Sequence, residues 1–321
     1  MGRRYDTISF LSDYGADDEF VGVVHSVVRG IAPHVHVVDI THGIGAHDVR
    51  AGGLALARSA QYLCPGVVLA VVDPGVGTDR RAVAVEVGGG ESVLVGPDNG
   101  LLAPAVAMVG GADRAVSLTD PAWHLPSPGL TFDGRDVFAP VAAHLATGVD
   151  LGEMGDPIQP AGMLPGVLPV AAVESDGLHA EVLWVDRFGN LQLNVDPGEL
   201  DALEAGDRYR VRVADRVLPA QRVSAYDDVP TGGLGVLVDS WGMVSLVVAR
   251  ASAAADLGIG AGGAVVLGPA GDDPGVTTRV ASSVPASSPA ARLVPRPGVL
   301  PGSVSAALTL SSVEKRTAPC S

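Results

Sequence analysis

Short runs that are apolar on both faces alternate with longer amphipathic stretches over residues 7 to about 160. Residues 8–12, 35–40, 67–72 and 92–95 therefore predict strands covered by helices, since a strand with one wet face would alternate apolar and polar positions. Between them, residues 18–31 place Phe20, Val24, Val27 and Val28 near one helical face, and residues 47–63 are rich in Ala and Leu. Both stretches predict helices. The strand runs stop at Asp13-Tyr14-Gly15, Thr41-His42-Gly43, Asp73-Pro74-Gly75 and Gly96-Pro97-Asp98-Asn99-Gly100. In an open, mostly parallel sheet such turns gather outside the carboxyl ends of the strands, where ligands bind.

The pattern changes at the Pro- and Gly-rich residues 160–169. Short strand-like runs follow at 180–185, 191–195, 209–213, 236–238, 244–248 and 264–267, punctuated by turns, as in a small all-β domain or barrel. The expected organisation is an α/β domain over residues 1–160, a linker over 161–172 and a β domain over 173–268. The Pro/Ser/Ala-rich residues 269–321 lack amphipathic periodicity and are expected to be disordered.

Composition narrows the function classes. The 321 residues are 47% hydrophobic with a formal net charge of -15, and residues 1–268 alone hold 33 acidic against 16 basic side chains. No basic stripe is present, which argues against a phosphate-backbone partner. No apolar stretch approaches the roughly 18 residues of a membrane span, and cytoplasmic residence is the expectation. Cys64 and Cys320, the only cysteines, form no CxxC pair, so neither a disulfide framework nor a thiolate metal site is expected.

Several segments carry candidate chemistry. Asp73 at a strand end is followed seven residues later by Arg80, either as a carboxylate with a local cationic partner or as a turn residue and a solvated arginine. The spacing is not that of a phosphate-binding GxxxxGK[ST] loop. Asp13, Asp17 and Asp18 surround one glycine turn, where they either cap a helix or recognise hydroxyls or an ammonium group. His34, His36, His42 and His47 raise a metal site, but no HExxH-like spacing or clearly paired carboxylate completes a ligand set. The expected site contains no metal. G-x-S-x-G is absent, which argues against a Ser-His-Asp hydrolase.

Together these segments resemble the S-adenosylmethionine hydroxide adenosyltransferases, relatives of the fluorinases and chlorinases. The likeness runs through most of residues 7–268. It rests on Asp13-Tyr14-Gly15 with Asp18, Asp39-Ile40-Thr41-His42, Val72-Asp73-Pro74-Gly75-Val76-Gly77-Thr78 with Arg80, and Gly96-Pro97-Asp98-Asn99-Gly100. Thr131-Phe132-Asp133-Gly134-Arg135-Asp136, Asp186-Arg187-Phe188-Gly189-Asn190 and Ser240-Trp241-Gly242 complete it. The resemblance implies an N-terminal α/β sandwich domain with a mostly parallel sheet, a small C-terminal β-barrel-like domain and a homotrimer with sites between subunits.

It further implies hydrolysis of S-adenosyl-L-methionine at C5′ to adenosine and L-methionine, with no cofactor. Asp13 would partner the ribose hydroxyls, and Asp18 and Asp186 would lie near the methionine ammonium. Asn190 would read the adenine edge, Tyr226 would stack on it, and Ser240 and Trp241 would hold the methionine carboxylate. Asp73 and Arg80 match two members of the family's Asp-Arg-His water-handling triad. Asp133 stands where the pattern has histidine, so this chain departs from it at the third member; Asp133 either pairs with Arg80 or faces solvent. Two alternatives stay open: a halogenase forming a 5′-halo-adenosine, and a ligand-binding protein that has lost turnover.

Overall fold

The computed structural model describes residues 2–270, which belong to one compact unit. All but the first two residues of the tail expected to be disordered lie outside the described residues, and Pro269 ends the last strand.

The first sheet contains β1 (Thr7–Ser12), β2 (His36–Thr41), β3 (Val67–Val71), β4 (Ala82–Val87), β5 (Ser92–Pro97), β6 (Ala112–Ser117) and β7 (Asp156–Ile158). Their spatial order is β2-β1-β3-β5-β4-β6-β7. Strands β2, β1, β3 and β5 are mutually parallel, whereas β4, β6 and β7 add antiparallel. The reversal at β4 comes from the turn Gly88-Gly89-Gly90, whose positive φ angles of 64°, 65° and 83° suit glycine. Residues 82–87, which the runs quoted above omit, are thus a strand that opens immediately after Arg80 and Arg81.

Helices α1 (Phe20–Ile31), α2 (Val49–Ala60), α3 (Ala103–Met108) and α4 (Ala139–Thr147) cover both faces. Val67, Leu69 and Val71 join the core that holds Val24 and Val28 of α1 and Val141 and Leu145 of α4. Val68, Ala70 and Val72 join the other core, with Ala51, Ala55 and Leu56 of α2 and Ala105 of α3. Because successive strand residues face opposite ways, this split explains why the runs read as apolar throughout.

The second sheet contains β8 (Ala172–Glu174), β9 (Gly177–Val185), β10 (Leu191–Leu193), β11 (Arg208–Val213), β12 (Arg216–Arg222), β13 (Leu234–Val238), β14 (Val244–Val247) and β15 (Ala264–Pro269). The order β10-β14-β13-β12-β11-β15-β9 returns from β9 to β10 and closes a seven-stranded barrel, with β8 attached along β9. Its interior holds Leu178, Val182, Leu191, Val211, Val236, Leu246 and Leu267. Closure leaves no barrel strand unpaired. The α/β sandwich followed by a small barrel is the architecture expected from the sequence.

Among the described residues no helix is long and apolar enough to cross a membrane. The Pro- and Gly-rich stretch between the two sheets is pinned beside β5. Leu164 N–H donates to Asp98 Oδ1 at 2.8 Å, and Arg81 Nη2 donates to the Gly162 carbonyl at 2.5 Å.

Candidate active site

The turns after the parallel strands converge at one sheet edge. Gly15 N–H donates to the His42 carbonyl at 2.8 Å, Asp13 N–H to the Val71 carbonyl at 3.3 Å, and Asn99 Nδ2 to the Val72 carbonyl at 2.8 Å. Asp98, 3% exposed, accepts from Arg81 Nε at 2.9 Å as well as from the linker, so the Asp98-Asn99-Gly100 turn is occupied in holding the chain.

At this edge Asp73 follows β3, and the loop after it folds Arg80 back upon it. Thr78 Oγ1 donates to the Gly75 carbonyl at 2.7 Å, tightening the loop. Gly77, at φ +77°, passes so close to Leu130 that a β-carbon would lie 2.8 Å from its carbonyl oxygen. Arg80 Nε lies 2.9 Å from both oxygens of Asp73, and Nη2 lies 2.5 Å from Oδ2. The same Nη2 donates to Asp133 Oδ2.

Both carboxylates and the guanidinium are largely withdrawn from water, with side-chain exposures of 6% for Asp73, 12% for Arg80 and 19% for Asp133. Burial opposes the charge on Arg80, but hydrogen bonds and charge from Asp73 and Asp133 outweigh it and raise the arginine pKa. The solvated-arginine reading therefore fails for Arg80, as does a solvent-facing Asp133.

Asp133 precedes a π-helical turn, Gly134–Phe138, which runs into α4. Such turns are rare and occur frequently at functional sites. Gly134 is required by contact: a β-carbon there would lie 2.0 Å from Tyr14 Oη. Tyr14 is fixed by edge-to-face contact with Phe132 at 5.7 Å and tilted contact with Phe20 at 5.5 Å between ring centroids. Gly134→Ala should consequently cost about 1–3 kcal/mol of stability by overpacking. Thermal melting checks this, and Tyr14→Phe should return most of the loss in the double variant; equal losses in both backgrounds would contradict the assigned contact.

Asp13 accepts from the His47 N–H at 2.9 Å through Oδ2, and His47 takes a positive φ of 68° to supply it. Asp18 is exposed, and α1 starts after Glu19 without a side-chain cap, so the capping reading of this acidic turn is not met. His34, His36 and His47 are exposed and do not assemble. A different cluster does form: His25 Nε2 hydrogen-bonds Asp39 Oδ1 at 2.9 Å, and His42 Nε2 stands 3.1 Å from the same oxygen but poorly aligned. Burial opposes the Asp39 charge, yet the two histidines prevail and lower its pKa. His42 Nδ1 in turn meets Ser12 Oγ at 2.8 Å, which ties α1 and β2 to the turn carrying Asp13.

The barrel carries the second group. Asp186 accepts from Phe188 N–H, Asn190 N–H and Asn190 Nδ2 at 2.8, 2.9 and 2.7 Å, closing its own turn. Gly189, at φ +84°, presses on Ser252 so closely that a β-carbon would lie 2.0 Å from its hydroxyl oxygen. Asp239, absent from the residues singled out above, organises the neighbouring loop by accepting from Trp241 N–H at 2.8 Å, Gln192 Nε2 at 2.7 Å and Ser245 Oγ at 2.9 Å. Its only local signal was an aspartate opening the turn Asp239-Ser240-Trp241-Gly242. Half-exposed Tyr226 has its phenol pKa raised by burial and by Asp186 and Asp239, which places it with this group.

Within one chain the two groups stand apart. Trp241 meets Tyr62, just beyond the end of α2, at 5.9 Å, and Arg58 lies 5.9 Å over the Trp241 ring. His47, bonded to Asp13, precedes the start of α2. A helix of 12 residues separates these ends by about 18 Å. Thus Asp13, Asp73, Arg80 and Asp133 share one sheet edge, whereas Asp186, Asn190, Tyr226, Ser240 and Trp241 belong to another surface, and Asp18 is exposed.

Comparison with known proteins agrees with this division. Residues 8–155 match the SAM hydroxide adenosyltransferase N-terminal domain and residues 180–266 its C-terminal domain. An (R)-S-adenosyl-L-methionine hydrolase of Salinispora arenicola is 47% identical over 250 residues, covering 78% of this chain and 92% of the relative. A fluorinase of Actinopolyspora mzabensis is 28% identical over 276 residues, covering 77% and 92%. A crystal structure of an uncharacterized conserved protein from Thermotoga maritima superposes with a TM-score of 0.76 at 33% identity, covering 81% of this chain and 99% of that one. With both domains matched in order and a relative at 47% identity covered over 92% of its length, the chain belongs to the SAM hydroxide adenosyltransferase family.

Proposed function

We propose that this protein hydrolyses S-adenosyl-L-methionine at C5′, giving adenosine and L-methionine. The observation that carries the reading is the buried Asp73-Arg80-Asp133 cluster at the ligand edge of the parallel strands. The sulfonium is already a good leaving group, so the reaction calls for neither protonation of the leaving sulfur nor a cofactor. What it lacks is a competent nucleophile. A water held in line with the C5′–S bond attacks C5′, the bond's electron pair leaves with sulfur as the neutral thioether, and Asp73 takes the water proton. Holding water in that attitude is worth up to about 7–11 kcal/mol in favourable cases.

Asp13 is assigned to the ribose hydroxyls and Asp18, whose side chain is exposed, to the methionine ammonium beside Asp186. Asn190 spends its amide N–H on Asp186, leaving its carbonyl oxygen for the adenine amino edge. Tyr226 stacks on adenine, and the loop of Ser240 and Trp241 holds the methionine carboxylate. Since one chain keeps these barrel residues about a helix length from Asp13, the complete site is formed between the α/β domain of one subunit and the barrel of its neighbour in a homotrimer. Light scattering should then give a mass of three chains; a monomer with full activity would contradict the shared site.

The function is tested by incubating the protein with each sulfonium epimer of S-adenosyl-L-methionine, with and without chloride, and separating the nucleoside products. Adenosine independent of chloride supports hydrolysis. 5′-Chloroadenosine would make the protein a halogenase, a reading disfavoured by two carboxylates where an anion must sit. Binding without any product would mean that turnover has been lost. The Salinispora arenicola relative is an (R)-S-adenosyl-L-methionine hydrolase, which makes that epimer the one to compare first.

A further inference from the structure

We propose that the Tyr14 hydroxyl positions the attacking water beside Asp73, which makes Tyr14 a further working residue of the hydrolysis proposed above. The inference rests on that reading and deepens it. A water delivered to carbon must have its protons accepted while a lone pair stays aimed at C5′. In the cluster, the Arg80 guanidinium can only donate, and ionised carboxylates can only accept. Arg80 is engaged by both Asp73 and Asp133. A phenol does both: it donates its proton to a carboxylate oxygen and offers its own oxygen to a water O–H.

Tyr14 is the phenol placed to do so. Its ring is braced by Phe10, Phe20 and Phe132 at centroid separations of 6.4, 5.5 and 5.7 Å. Its oxygen abuts Gly134, next to Asp133 in the chain. Burial raises its pKa, and the charges of Asp13, Asp73 and Asp133 raise it further against the opposing effect of Arg80. The hydroxyl therefore stays protonated across the range in which carboxylates are ionised, and the same three carboxylates are its electrostatic neighbours. His124 is another donor and acceptor on which Asp133 acts. Burial lowers its pKa while Asp133 and Asp120 raise it, and neither Asp13 nor Asp73 acts on it. The charges of Asp13, Asp73 and Asp133 all act on the Tyr14 hydroxyl, whereas of these three only Asp133 acts on His124.

In the hydrolysis step, one water O–H points at the Tyr14 oxygen and the other at Asp73. The C5′–O bond forms as C5′–S breaks, and the departing proton goes to Asp73. Tyr14 keeps its own proton and ends as it began.

The test is a double-mutant cycle on the full chain, following adenosine formation by Tyr14→Phe, Asp133→His and the double variant. Tyr14→Phe should lower kcat about tenfold, the size of a hydrogen bond lost to a charged network, with KM changed less than about threefold. Asp133→His supplies a second neutral donor and acceptor, so removing the hydroxyl in that background should cost less than about threefold. His124→Phe should retain turnover. The proposal is overturned if Tyr14→Phe keeps full kcat, raises KM alone, or loses the same factor in both backgrounds, and also if His124→Phe shows the tenfold loss in its place. A wild-type enzyme that forms no adenosine overturns the hydrolysis reading and this inference with it, whereas normal wild-type turnover with an unimpaired Tyr14→Phe removes Tyr14 alone.

Discussion

Replacing Asp73 with asparagine should slow adenosine formation by about 10²–10⁴-fold, the usual range for a positioned general base, while substrate affinity stays nearly unchanged. Asparagine keeps the shape and one acceptor oxygen but cannot take the water proton. Asp73 is well suited to this comparison because it touches Arg80 through both oxygens, so the variant retains one of those contacts. Single-turnover measurements at saturating substrate isolate the chemical step from binding. A variant with undiminished turnover would take the base role away from Asp73, and a variant that merely binds weakly would reassign it to substrate recognition.

Replacing Arg80 with alanine should be the most damaging change to the fold at this site. Asp73 and Asp133 are 6% and 19% exposed and would then face one another without a counter-charge. Removing one partner of a buried ionic group costs about 3 kcal/mol, which corresponds to a Tm lower by about 6–12 °C for a chain of this size. Equal melting of wild type and Arg80→Ala would show that the cluster is far better solvated than its burial indicates.

The parallel half of the first sheet was legible because both-faced apolar runs such as residues 67–72 have few other solutions, and the turns that end them identify the ligand edge. Strand β4 was less legible, since Arg80 and Arg81 lead directly into it and the alternating Ala82–Val87 carries no turn signal at its start. Asp73 and Arg80 were readable as a local pair, but the third member was not. Asp133 reaches Arg80 across 53 residues, and its approach is set by a π-helical turn packed on Tyr14, a contact between distant segments that no local pattern contains. The same holds for Asp39: its pairing with His25 depends on α1 lying against β2, and of His34, His36, His42 and His47, which the sequence singled out, His42 alone stands beside it. Asp239 went unnoticed because turn aspartates are common, and only its convergence with Gln192 and Ser245 reveals the organising role.

The origin of the new 5′-oxygen tests the central claim most directly. Hydrolysis of S-adenosyl-L-methionine in H₂¹⁸O, followed by mass spectrometry of the nucleoside, should place one solvent oxygen on the 5′-hydroxyl of adenosine and none in methionine. Adenosine that forms without the label would contradict attack of water at C5′.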